Sequence, residues 1–176
     1  MTRSRCVGLL LLLLLLAPGT AEAVAIAHAF TAVNTNQTTV STTFVDVPGA
    51  SIAADAPNFT AGKKYLLYIT AQHANVTGGA DTRVRTLHGT TAFAESSADF
   101  DNGGANFRSP YGFLTVWTAV SGEAITLQFN AASGTAAINF VSMLAINLSD
   151  DLTEGTDWVF AERATDDTLG VAFLAG

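Results

Sequence analysis

The sequence predicts an all-β domain, an antiparallel β-sandwich of about eight strands behind an N-terminal leader. Three observations carry this. Thr, Val, Phe and Gly are abundant while Lys and Arg are scarce, with 8 basic against 15 acidic side chains, 15 glycines and 11 phenylalanines. No stretch of ten or more residues beyond the leader repeats with the helical period of 3.6. Short β-rich runs recur instead, separated by turn residues at close spacing, as in sandwiches and barrels.

The leader, residues 1–23, reads as a secretory signal peptide. Arg3 and Arg5 form a positive start, and residues 7–17 form an apolar core containing the leucine run 9–16. Pro18 and Gly19 break the run, and Ala21 and Ala23 supply small residues ahead of a cut before Val24. That core is too short to span a bilayer of ~30 Å as a helix. The single cysteine, Cys6, precedes the core and leaves with it. The mature chain is expected to be secreted and extracellular, or periplasmic in a bacterium. Without a disulfide it must be stabilised by its apolar core, which its length permits.

Without Arg3, Arg5 and Glu22, 6 basic side chains face 14 acidic ones, a net charge near −8. Phosphate binding wants a basic patch, so nucleic acid is excluded as a partner and adsorption to an anionic membrane is disfavoured. No further segment reads as transmembrane.

The strands follow in order. Residues 25–33 form a first β-rich run, and residues 42–47 a second, ended by Pro48-Gly49. Residues 65–73 are strongly apolar and are led in by Ala61-Gly62. In residues 82–87 cationic or polar side chains alternate with apolar ones until Gly89. Residues 95–109, rich in Asp, Asn, Gly and Ser, read as a long loop. Residues 111–120 form a strand turned by Ser121-Gly122-Glu123 into residues 124–130. There Ile125, Leu127 and Phe129 oppose Thr126, Gln128 and Asn130, a clean period of two. Ser133-Gly134 turns again into residues 136–148. Residues 24–149 are therefore expected to form one domain. Residues 150–176 read as an acidic linker with a terminal strand, or as the truncated start of a second module.

The run Phe59-Thr60-Ala61-Gly62-Lys63-Lys64-Tyr65-Leu66-Leu67-Tyr68 resembles the central strand of C1q/TNF-like jelly rolls. The closing hairpin is similar to that family as well, from Gly122-Glu123 through Ile125–Phe129 to the apolar run Phe140–Ile146. The resemblance spans roughly residues 29–148. It implies a jelly-roll sandwich that assembles as a trimer and acts as a non-catalytic recognition head.

Motifs that carry chemistry are few. His28, His73 and His88 lack the close spacing of a zinc motif, and no nucleophile elbow, P-loop or dinucleotide fingerprint occurs. No enzyme is therefore expected and no cofactor is required. In Asp99-Phe100-Asp101-Asn102-Gly103-Gly104, two carboxylates, an amide and turn-forming glycines could gather oxygen ligands around Ca²⁺ through Asp99, Asp101 and Asn102. The alternative is a solvated loop. Phe100, Phe107 and Tyr111 would stack on sugar rings if the domain were a lectin-like module or a carbohydrate-active enzyme. Four Asn-x-Ser/Thr tripeptides, at Asn36, Asn58, Asn75 and Asn147, would be glycan acceptors on exposed loops in a glycosylating host.

Two strands are apolar on both faces. In residues 65–73, Leu66 and Tyr68 oppose the core row. In residues 111–120, Tyr111, Phe113 and Trp117 oppose Leu114, Val116 and Val120. A single-core sandwich leaves one of each pair of rows wet, so a subunit interface containing Leu66, Tyr68, Tyr111, Phe113 and Trp117 is expected. The expected function is that of a secreted recognition or assembly module, a homo-oligomer with an extracellular protein or glycan ligand.

Overall fold

The computed structural model describes residues 27–77, 81–96, 98–101, 108–150, 152, 154 and 155. The expected signal peptide, Asn102, Phe107 and most of the 150–176 segment lie outside the described residues. Ten strands and one 3-10 turn follow in order: β1 His28–Val33, β2 Gln37–Thr39, β3 Val45–Ile52, β4 Lys64–Asn75, β5 Asp81–His88, β6 Thr91–Ala92, the turn Ala94–Ser96, β7 Ala98–Asp101, β8 Arg108–Thr118, β9 Ile125–Ala131 and β10 Ala136–Asn147.

They build two five-stranded antiparallel sheets. The first runs β1-β10-β4-β8 with β2 also on β10; the second runs β3-β9-β5-β6 with β7 also on β5. From β3 onward the major strands alternate between sheets, β3, β5 and β9 in the second and β4, β8 and β10 in the first. This is a jelly-roll sandwich. The core lies where the period-two rows meet. Tyr65, Leu67 and Ile69 of β4 and Val141, Met143 and Ala145 of β10 face Val84, Ile125, Leu127 and Phe129 of the second sheet, all fully buried.

Three short strands depart from the sequence expectation. β7 lies inside the segment read as a loop, where Asp101, Asp99 and Ala98 pair with Asp81, Arg83 and Val84 of β5. Its Asp-rich composition disfavours a strand, but an exposed edge of β5 supplies its backbone partners. β6 continues the same edge, pairing Ala92 with Leu87. β2 continues β1 along β10, pairing Gln37 with Ile138. Pro48-Gly49 also does not end its strand. β3 passes through it with a register shift between Asp46 and Ser51, and Gly49 takes φ +79°. An edge strand tolerates a proline and a left-handed glycine at a bulge because no ladder bond is needed there.

Near the end of β10 the chain is tied back to the start of β4. Lys63 pairs with Asp150, and Lys64 Nζ lies 2.5 Å from Glu154 Oε2. The Asp150 partnership raises the Lys63 pKa, and Lys63 in turn lowers that of Asp150.

Candidate functional site

The register of the first sheet sets its outward side chains in rows. One row crosses all four strands as Phe30, Leu144, Tyr68 and Leu114. The next runs His28, Ile146, Leu66 and Val116, and a third runs Ala32, Ser142, Thr70 and Gly112. Phe140 lies beside the third row, at a bulge in β10 between Asn139 and Ser142. Phe30, Tyr68 and Phe140 are 60%, 49% and 55% exposed, while Leu66, Leu114, Val116, Leu144 and Ile146 are half-buried by their neighbours.

Strands lie ~4.8 Å apart and alternate residues ~6.7 Å apart, so these rows cover a patch about 15 Å on a side between outer Cα positions. With side chains at the rim the area is on the order of 400 Å², its apolar part lying in the first two rows and Phe140, within the range of the largest apolar patch of an ordinary monomer, which is often functional. Within these three rows no side chain carries a fixed charge, although the chain as a whole has a net charge of −7. Lys64 stands at the boundary, opposite Thr118.

Phe140 has φ +49°. The left-handed conformation costs a bulky L-residue about 1–2 kcal/mol. A glycine or asparagine would meet the same bulge at less cost, yet the position carries an exposed phenyl ring.

The expected interface changes composition. Leu66 and Tyr68 lie on the outer face, as expected. Tyr111 and Phe113 are instead 4% and 6% exposed and point between the sheets. Trp117 belongs to the same inward row, packed against Phe59 with ring centroids 6.2 Å apart and against His88 at 5.4 Å. Both rows of β8 are apolar, so hydrophobicity alone does not choose between them. A hydrogen bond does. The Tyr111 hydroxyl finds buried partners in Thr86 Oγ1 at 2.7 Å and the Ser96 carbonyl at 2.9 Å. Outside, the face is completed by Leu114, Val116, Leu144, Ile146, Phe30 and Phe140.

The remaining expected residues are dispersed. Buried Tyr111 presents no ring to a sugar. Asp99, Phe100 and Asp101 belong to β7, with Asp101 opposite Asp81 in the ladder, and Asn102 and Phe107 lie outside the described residues. Among the described residues no three His, Cys, Asp or Glu side chains are grouped to hold a metal ion. His73 and His88 lie in different sheets; His73 stands opposite Ser109 and Ile138.

Sequence reasoning passed over one pairing. Glu123, in the turn Ser121-Gly122-Glu123, lies with Oε2 2.7 Å from His88 Nδ1, and the imidazole packs on Phe93 at 4.8 Å. Gly89, at φ +56°, lets the Glu123 side chain cross it, since a Cβ there would stand 3.0 Å from Glu123 Cγ. The pair closes the β8–β9 turn over the aromatic end of the core.

No protein-family model and no curated protein matches the chain. Similar solved structures include that of infectious bursal disease virus Gx strain (13% identity, TM-score 0.47, 70% of this chain and 32% of that one). Eiger TNF from S. frugiperda is similar at 9% identity and TM-score 0.44, over 81% of this chain and 99% of that one. The carbohydrate binding module of Cellvibrio mixtus lichenase 5A, in complex with cellotriose, is similar at 13% identity and TM-score 0.32, over 69% and 91%. The chain spans about a third of the length of the viral chain. These likenesses concern the fold. Among the described residues no helix is long and apolar enough to cross a membrane.

Proposed function

We propose that this chain is an exported, non-catalytic binding and assembly module, and that copies of it meet through the outer face of the first sheet. The observation that carries this reading is the charge-free apolar lattice centred on Tyr68 and Leu144. Two copies of an acidic chain repel at long range, so they associate best through a surface that brings no like charges together and desolvates none. Burying that face also recovers about 25 cal/mol for each Å² of apolar surface removed from water. The jelly-roll resemblance of residues 59–68 favours three copies, with the recognition surface on loops outside the contact. Signal-directed export rests on the leader described above.

Light scattering on the mature chain tests the reading. A mass that is a multiple of the single chain at micromolar concentration supports it. A single-chain mass, unchanged when residues 156–176 are deleted, overturns it. A single-chain mass that rises to a multiple on that deletion assigns the face to the terminal segment of the same chain, and also overturns it.

A further inference from the structure

The four Asn-x-Ser/Thr tripeptides share one local chemistry but occupy different environments. Sugar transfer to asparagine requires Nδ2 to attack C1 of a sugar carried on a diphosphate. The N–C1 bond forms, the C1–O bond to the diphosphate breaks, the diphosphate carrier departs and Nδ2 gives up one proton. The product places a group much larger than the side chain on that nitrogen. A close-packed interior has no room for it, so the folded domain tolerates a sugar only where Nδ2 faces water.

Asn36 is exposed in the bend between β1 and β2, next to exposed Asn34 and Thr35. Asn58 is also exposed, in a turn at φ +64°, a conformation asparagine adopts more readily than most residues. Its Nδ2 donates one long hydrogen bond, 3.3 Å, to the His28 carbonyl.

The other two asparagines end strands. Asn75 closes β4 at 0% exposure; its Nδ2 donates to the Ser133 carbonyl at 3.3 Å and its Oδ1 accepts from Thr77 N at 2.9 Å. Asn147 closes β10 at 4% exposure; its Nδ2 donates to Asp150 Oδ2 at 2.6 Å and its Oδ1 accepts from Ser149 N at 2.8 Å. In both, the amide folds back on the third residue of its own tripeptide and is sealed there.

We propose that Asn36 and Asn58 are the N-linked sugar acceptor sites of the folded domain, and that the fold closes Asn75 and Asn147 to sugar. Asn36 follows β1, and Asn58 bonds to β1, the strand at the opposite edge of the first sheet from β8. The assignment does not depend on whether copies associate.

The test expresses the full chain in a eukaryotic secretory host. Folded protein, defined by resistance to limited proteolysis, is pooled from medium and lumen, and its glycans are mapped by mass spectrometry. The expected result is sugar at Asn36 and Asn58 and unmodified Asn75 and Asn147. Thr38→Val and Thr60→Val, which destroy the two exposed tripeptides without touching the asparagines, should each remove one glycan and leave the thermal midpoint in place. Sugar at Asn75 or Asn147 in the resistant fraction overturns the proposal. So does a resistant fraction bare at Asn36 or Asn58.

Discussion

The Tyr111 hydroxyl donates a hydrogen bond to the Ser96 carbonyl at 2.9 Å, fastening β8 of one sheet to the 3-10 turn that joins the two short edge strands of the other. Ser96 is itself locked to β5, its hydroxyl donating to the Thr86 carbonyl at 2.9 Å and accepting from Thr86 N at 3.0 Å. The phenol thus ties Ser96, at the start of the segment that the sequence presents as loop, to β8.

Tyr111→Phe should cost about 1–3 kcal/mol, because it leaves the buried Ser96 carbonyl and Thr86 hydroxyl without that partner. Chemical denaturation of the two proteins checks this.

The same residue gives an alkaline signature. Burial pushes the Tyr111 pKa up to about 12. Between pH 10 and that value the unfolded chain loses the proton while the folded chain keeps it. Stability is therefore full below pH 10 and falls as pH rises toward 12. Absorbance titration of phenolate should show a late step that is absent in Tyr111→Phe.

His73 supplies the acid counterpart. Burial at 1% exposure lowers its pKa from 6.5. The folded chain holds it neutral while the unfolded chain takes up a proton, so its contribution is present above pH 6.5 and is lost as pH falls below it. Urea midpoints measured from pH 7.5 to 5 should decline, and the decline should be shallower in His73→Gln. NMR titration of the His73 ring protons should show the folded chain taking up this proton at lower pH than a solvent-exposed histidine does.

The outer face makes a pair of contrasting predictions. Phe30→Glu and Tyr68→Glu should reduce the mass in solution to that of one chain, while stability of the separated domain shifts by only about 0.5 kcal/mol, as for exposed positions generally. Val40→Glu changes an exposed apolar residue away from these rows and should leave the mass unchanged.

Phe140→Gly should leave stability of the separated domain level or raise it by up to about 1 kcal/mol. Relief of the left-handed strain offsets the entropy that glycine adds to the unfolded chain. Association should weaken in the same variant. Denaturation midpoint and sedimentation mass, taken together, separate the two effects.

What the sequence determined by itself is the part that period-two alternation encodes. Ile125, Leu127 and Phe129 can face only one core, and the second apolar row of β4 leaves Leu66 and Tyr68 for the outer face. The alternation cannot say which row of β8 turns inward, because Tyr111-Phe113 and Leu114-Val116 are both apolar. That was decided across the sandwich, by the Ser96 carbonyl that accepts from the Tyr111 hydroxyl and the Thr86 hydroxyl beside it, which only the packed second sheet brings within reach. β2, β6 and β7 are two to four residues long, too short to show a period, and exist because β10 and β5 offer unpaired edges. The Asn-x-Ser/Thr tripeptides divide in the same way. Their chemistry is local and visible in the sequence, whereas burial depends on residues distant in the chain: Asn75 is sealed by Ser133, 58 positions away.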